Sequence, residues 1–325
     1  MGEKPKTPSH RYSGFPCQRD RAFDSVCLSH NDPAMTMSAI RCIICLCLAA
    51  TVVVAAQQPP PTFRSGTRVV PVHATVLGPD GRLLVNLQKD DFEILDNGKP
   101  QIITSFSNQD DEPIVAVAAW DVSGSLEPFA ARSRAAALSL VRALRAGDRL
   151  RFGSFGQEIA FSPLMTDDKP TLERIVSEEL WFGGSTRLWG VLERSLSLVS
   201  QEAGRRVVIT LTDGRPTTDS RSQNDVLLAL HRADTMIYAL GLDGAGLAGD
   251  LRAVAEQSGG GHAVLKGGPD LDREIEAVMA ELHHQYLLGF TTDVSDGKLH
   301  SLSVRTRILG AKVRARRGYV ADPPR

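Results

Sequence analysis

Asp121, Ser123 and Ser125 place one carboxylate and two hydroxyls within five residues. All three are hard oxygen donors, and hard oxygens suit Mg²⁺, Ca²⁺ or Mn²⁺. They close an apolar run, Ile114-Val115-Ala116-Val117-Ala118-Ala119-Trp120. A short, unbroken apolar run that ends abruptly in polar residues predicts a fully buried parallel strand. Helical periodicity follows over residues 128–144, so the three donors stand at the carboxyl end of a strand, just before a helix. In open α/β sheets that edge is where ligands bind. Two further stretches can complete a site there. Gly183-Gly184-Ser185-Thr186 precedes a helix that begins near Arg187, and Thr212-Asp213-Gly214 ends the apolar run 206–212. Adjacent parallel strands present their carboxyl ends to one edge, so Asp121 and Asp213 can meet. The glycines before Thr186 let a loop backbone approach closely.

The elements that must position these residues alternate between strand and helix. Ala137, Leu140, Val141 and Leu144 mark one helix face at i, i+3, i+4 and i+7, with Gly147 placed to stop that helix. Residues 149–155 form the next strand, and 158–161 follow so closely that the two predict an antiparallel edge hairpin. Helices are expected near 188–199, 225–233, 250–257 and 271–286, and strands at 206–212, 236–240 and 262–265. Such alternation over residues 112–285 predicts an α/β domain with a doubly wound, mainly parallel sheet.

The flanks read differently. In residues 68–110, Val70, Val72, Ala74 and Val76 alternate, Gly78-Pro79-Asp80-Gly81 is a turn cluster, and Asp96-Asn97-Gly98-Lys99 is a hairpin signal. Residues 286–321 return to strands, with Leu302, Val304, Val313 and Ala315 alternating with polar residues. Neither flank has enough strands to stand alone. Together they are expected to make a small antiparallel β-sandwich into which the α/β domain is inserted. Arg305, Arg307, Lys312, Arg314, Arg316 and Arg317 are expected to form a solvated, edge-protecting face.

Before residue 68 the chain changes character. Residues 1–34 are polar and aperiodic, an expected disordered or untranslated extension, with Met35 and Met37 as candidate starts. Arg41 precedes an apolar run of about fifteen residues, too short for a comfortable membrane span, and Val54-Ala55-Ala56 suits signal peptidase. Residues 35–56 therefore read as a secretory signal peptide, followed by a stiff Pro-rich linker at 57–67. The expected location is secreted, periplasmic or cell-surface, with no membrane span in the mature chain. The 325-residue chain carries a net charge of −1, which argues against a nucleic-acid or other polyanionic partner. All five cysteines lie in the first 47 residues, so neither a cysteine metal site nor a disulfide framework can exist in the folded body.

Competing signals are weaker. Gly244-Ala245-Gly246-Leu247-Ala248-Gly249 fits a dinucleotide fingerprint but follows a late strand, without a ribose-binding acid after it. His283 and His284 are helical neighbours pointing in different directions and read as surface or packing residues. No nucleophile–base arrangement stands beside Asp121.

Asp-x-Ser-x-Ser, a loop Thr and Thr-Asp-Gly together resemble the metal-ion-dependent adhesion site of von Willebrand factor type A domains. Asp121, Ser123, Ser125, Thr186 and Asp213 occur in the family's order. The flanks, in Asp90-Asp91-Phe92-Glu93, Asp96-Asn97-Gly98 and Arg317-Gly318-Tyr319, resemble a related bacterial secreted family. The resemblance implies that Ser123, Ser125 and Thr186 offer hydroxyls to a Mg²⁺, Mn²⁺ or Ca²⁺ ion, with Asp121 and Asp213 acting directly or through water. It also implies an open coordination position filled by an acidic residue of a protein ligand, and a closing helix, here 271–286, that can shift. The expected function is that of a non-enzymatic binding or adhesion protein. The alternatives are an assembly component in which the metal only stabilises the fold, and a metal-dependent hydrolase.

Overall fold

Fourteen strands and six α-helices account for most of residues 68–108, 112–178 and 180–321, which a computed structural model describes. The signal-peptide, linker and leader expectations lie outside the described residues. The central sheet has six strands in the order β10-β9-β8-β5-β6-β7. These are β5 (Ile114–Asp121), β6 (Arg149–Phe155), β7 (Ile159–Phe161), β8 (Arg205–Leu211), β9 (Met236–Leu242) and β10 (His262–Leu265). All pairings are parallel except the β6–β7 edge hairpin.

Every residue of β5 is buried because helices cover both faces of the sheet. Ala116, Ala118 and Trp120 pack toward α1 (Ala130–Ala143), α2 (Lys169–Glu178) and α6 (Leu271–His283). The alternate residues Val115, Val117 and Ala119 pack toward α3 (Leu188–Val199), α4 (Gln223–Arg232) and α5 (Gly249–Gln257). The period of two along one strand thus feeds two separate cores. The doubly wound expectation holds.

The sequence reading missed α2, although its buried Leu172, Ile175 and Val176 carry the i, i+3, i+4 signature. The closing helix is also shorter than expected. It ends at His283, and Tyr286 already opens the next strand.

Two four-stranded antiparallel sheets flank this domain, in the orders β13-β1-β11-β4 and β14-β12-β2-β3. The first flank supplies β1 (Arg68–Leu77), β2 (Phe92–Asp96), β3 (Lys99–Gln101) and β4 (Ile103–Ser107). The second supplies β11 (Tyr286–Thr292), β12 (Leu299–Thr306), β13 (Lys312–Ala315) and β14 (Gly318–Val320). Val70, Val72, Ala74 and Val76 face a shared core with Ile94, Leu288, Phe290 and Tyr319. Asn97 (φ 48°) and Gly98 (φ 77°) make the β2–β3 turn with two positive φ angles, as Asn-Gly favours. The strands on either side of the α/β segment, β4 and β11, are hydrogen-bonded neighbours. An inserted domain needs its two ends close together, and this pairing provides that.

Of the basic C-terminal residues, Arg305, Arg307, Lys312 and Arg317 are exposed as expected, but Arg314 and Arg316 are not. Arg314 pairs with Glu281 of α6, and Arg316 is largely buried, lying 3.6 Å from Asp234 and donating to the Pro71 carbonyl. These arginines knit the sheets to the α/β domain instead of standing in solvent.

Candidate metal centre

Asp121 is the last residue of β5 and is fully buried. Its Oδ1 accepts from the Ser123 amide at 2.8 Å, and its Oδ2 accepts from the Thr212 hydroxyl at 2.5 Å. Thr212 in turn accepts from the Gly214 amide at 2.9 Å. The carboxylate is therefore fixed from its own loop and from the end of β8. Asp213 is 3% exposed, and its Oδ1 accepts from the Arg215 amide at 3.1 Å.

The other donors come from loops tied to the Asp121 turn. Ser123 is buried, and its Oγ lies 3.1 Å from that of the exposed Ser125. The Gly183 amide donates to Val122 O at 2.7 Å, and the Gly124 amide donates to Gly184 O at 3.1 Å. Gly183 and Gly184 have φ values of 147° and 83°, conformations open to glycine. Two residues on, the buried Thr186 is linked to Thr217 in both directions, at 2.8 and 3.1 Å. The three predicted stretches thus meet at the carboxyl edges of β5 and β8.

Burial pushes the Asp121 carboxyl above the usual range. Hydrogen bonds from Ser123 and Thr212 oppose that push, and the nearby Asp213 charge adds to it. Among the described residues no lysine, arginine or histidine forms an ion pair with either carboxylate. Two nearly buried carboxylates without a protein cation, beside neutral hydroxyls, are a donor set that suits a hard divalent ion. The implied metal fits. Among the described residues no group of three His, Cys, Asp or Glu side chains could hold a metal. The candidate site uses two carboxylates and hydroxyls, a different donor set.

Sequence reasoning missed three supporting residues. Thr212 fixes Asp121, and Thr217 fixes the Thr186 loop. Asp219 accepts from the Trp189 and Gly190 amides, the latter at 3.1 Å, and so caps the start of α3 just beyond Thr186. The hydroxyl of Thr212 was visible beside Asp213, but its hydrogen bond spans 91 positions and has no local signature. The histidines lie elsewhere. His283 Nε2 is 2.9 Å from Asp148 Oδ2, just before β6 at the opposite edge of the sheet, so His283 is a packing residue as expected.

Residues 117–271 match the von Willebrand factor type A domain. That match covers β5 from its fourth residue, all the candidate ligands, and the chain up to the first residue of α6. No curated protein matches the chain. Among solved structures, a von Willebrand factor type A protein from Catenulispora acidiphila is 12% identical, with a TM-score of 0.45 over 79% of this chain and 75% of that one. BatB from Bacteroides thetaiotaomicron is 14% identical, with a TM-score of 0.41 over 52% of this chain and 98% of that one. Proximal thread matrix protein 1 from the mussel byssus, with a zinc-occupied MIDAS motif, is 16% identical, with a TM-score of 0.47 over 58% of this chain and 50% of that one.

Proposed function

We propose that this chain is a non-enzymatic binding protein whose type A domain holds one divalent cation at Asp121, Ser123, Ser125, Thr186 and Asp213. The observation that carries the reading is the pair of buried carboxylates that, among the described residues, no protein cation pairs with. Carboxylates that act through water neutralise an ion bound there only partly, and the hydroxyls are neutral, so the ion attracts one more carboxylate from outside. The ligand is then a protein that presents an acidic side chain. Mg²⁺ and Mn²⁺ suit the donor set best, with Ca²⁺ as the larger alternative. Export through residues 35–56 would place the domain in the periplasm, at the cell surface or outside the cell, in the manner of a bacterial adhesion or surface protein.

The binding reading is favoured over hydrolysis because, among the described residues, no histidine is in contact with Asp121 or Asp213. His283 and His300 are each committed to a buried carboxylate elsewhere, at 2.9 Å from Asp148 and Asp96. Calorimetric titration of the full chain with Mg²⁺ and Mn²⁺ tests the reading. One saturable site in the wild type, lost in Asp213→Ala, is the expected result. Undiminished binding by Asp213→Ala would refute the assignment.

A further inference from the structure

Three side chains around the candidate site have no task in holding an ion. Trp181 is 79% exposed, whereas Trp120 and Trp189 are buried. It is also held in place. Its neighbour Leu180 is buried and accepts from Arg134 Nη2 at 2.8 Å, and Gly183, two residues on, is bonded to Val122. An exposed indole on a pinned backbone beside a ligand site is a preorganised anchor, because little freedom remains to be lost on binding. Trp and Arg are also the residues that most often dominate binding surfaces.

Arg187 and Arg215 are the other two. Arg187 follows Thr186 and Arg215 lies two residues after Asp213, and both are exposed. Neither forms an ion pair among the described residues. The paired hydrogen bonds between Thr186 and Thr217 join their two loops, so the two guanidinium groups belong to one side of the site. The other side carries the opposite sign. Glu127 stands in the turn after Ser125, and Glu158 in the β6–β7 turn, whose Gln157 packs against Gly184. Both glutamates are exposed. The rim is therefore polarised, with two cations beside Thr186 and Asp213, two anions beside Ser125 and Gly156, and the indole at the far end of the Gly183 loop.

We infer that the partner is an acidic protein segment of defined polarity, with one carboxylate for the ion, further carboxylates toward Arg187 and Arg215, and an apolar side chain on Trp181. This rests on the cation-dependent binding proposed above and adds the composition and direction of the ligand. Charge complementarity at the rim governs recognition and on-rate, and the aromatic contact governs residence time. Acidic residues placed on the Glu127 and Glu158 side are disfavoured, so a reversed segment binds worse.

The test uses the full chain and a random-peptide display library, bound in Mg²⁺ and eluted with EDTA, followed by fluorescence titration of the selected synthetic peptide. Trp181 is itself the reporter, because the other two tryptophans are buried. Eluted peptides should combine clustered Asp or Glu with an apolar residue on one side. Trp181→Ala and the pair Arg187→Ser with Arg215→Ser should each weaken the selected peptide by about tenfold, read by anisotropy of a labelled copy. The arginine pair should also flatten the salt dependence. Mg²⁺ calorimetry on the same variants reports the ion site separately. If Mg²⁺ binds and Asp213→Ala abolishes it, yet no acidic–apolar peptide is selected, or the rim variants bind it like wild type, this inference alone is overturned. If the wild type binds no ion, the reading of the site fails and this inference with it.

Discussion

Asp121→Asn separates a metal ligand from a structural carboxylate. Asparagine keeps an oxygen for the Ser123 amide and offers a donor to the Thr212 hydroxyl, which can turn its own hydrogen away. The hydrogen-bond count is nearly preserved and only the charge is removed. In the absence of metal that charge is fully buried, without a cation, and held above the usual carboxylate range. Its removal relieves desolvation while weakening two charge-assisted bonds, so the metal-free variant should stay within about 1 kcal/mol of wild type. A buried carboxylate paired to a protein cation would instead cost about 3–5 kcal/mol to remove. With Mg²⁺ at a hundredfold excess over its dissociation constant, the wild type should gain about 2.7 kcal/mol. At roughly 2–4 °C per kcal/mol for a domain of this size, that is about 5–11 °C in Tm. The variant should gain nothing, so two proteins of nearly equal stability in EDTA should separate in Mg²⁺, with the wild type the more stable. Thermal unfolding by circular dichroism in the two buffers reads this directly. A variant several kcal/mol less stable in EDTA, with the Mg²⁺ shift intact, would mean that Asp121 serves the turn and not an ion.

Asp219→Ala removes the acceptor for the Trp189 and Gly190 amides and should cost about 0.5–2 kcal/mol. It should also weaken Mg²⁺ binding several-fold in calorimetry, because α3 starts directly after the Thr186 loop. Burial alone would raise the Asp148 carboxyl, but bonds from His283 and from the Ile114 and Arg145 amides outweigh it and hold it below the usual range. A depressed carboxyl contributes stability above its unfolded value, near pH 4, and loses it as pH falls through the folded value. The deficit of Asp148→Asn in urea unfolding should therefore be full at neutral pH and shrink in acid. Tyr319→Phe removes a donor to Asp96 Oδ2 at 3.1 Å inside the sandwich and should cost about 1–3 kcal/mol without changing Mg²⁺ affinity. Hydrogen exchange of α6 and β11 should be the same with and without Mg²⁺, and faster exchange of both on ion binding would show a mobile closing helix.

The candidate site was legible because its chemistry is local. Asp121, Ser123 and Ser125 fall within one turn, and the apolar β5 before them announces a buried strand by composition alone. The inserted arrangement was legible from shortage, since each flank has too few strands to bury its own apolar residues. What the sequence hid depends on distant pairing. The Thr212–Asp121 and Asp219–Trp189 bonds join separate loops, and nothing at either end marks the partner. The arginines of the last hairpin alternate as a solvated face would, yet Arg314 and Arg316 meet Glu281 and Asp234 across the seam. Period reports which residues share a face and leaves open what covers it. The same blind spot made the expected closing helix too long. Apolar spacing runs through Leu282 to Tyr286, and the change from a period of 3.6 to a period of 2 falls at His284 and Gln285.

That change of period bears on how the site can work. The resemblance to type A domains implies a closing helix able to shift, but here α6 passes into β11 with only two residues between them. β11 is registered against β1 over seven residue pairs and is also paired with β4. The helix end is gripped as well, by Arg205 donating to Leu282 O and His283 O and by the buried His283–Asp148 pair. Moving α6 along its axis would break these contacts and slide a central strand past both neighbours. A one-residue slip would turn the core residues Tyr286, Leu288 and Phe290 outward. The sandwich therefore acts as a clamp on the base of the α/β domain, at the end opposite the candidate site. The binding proposed above would then draw its selectivity from the rim residues Trp181, Arg187 and Arg215 and not from a shift of α6.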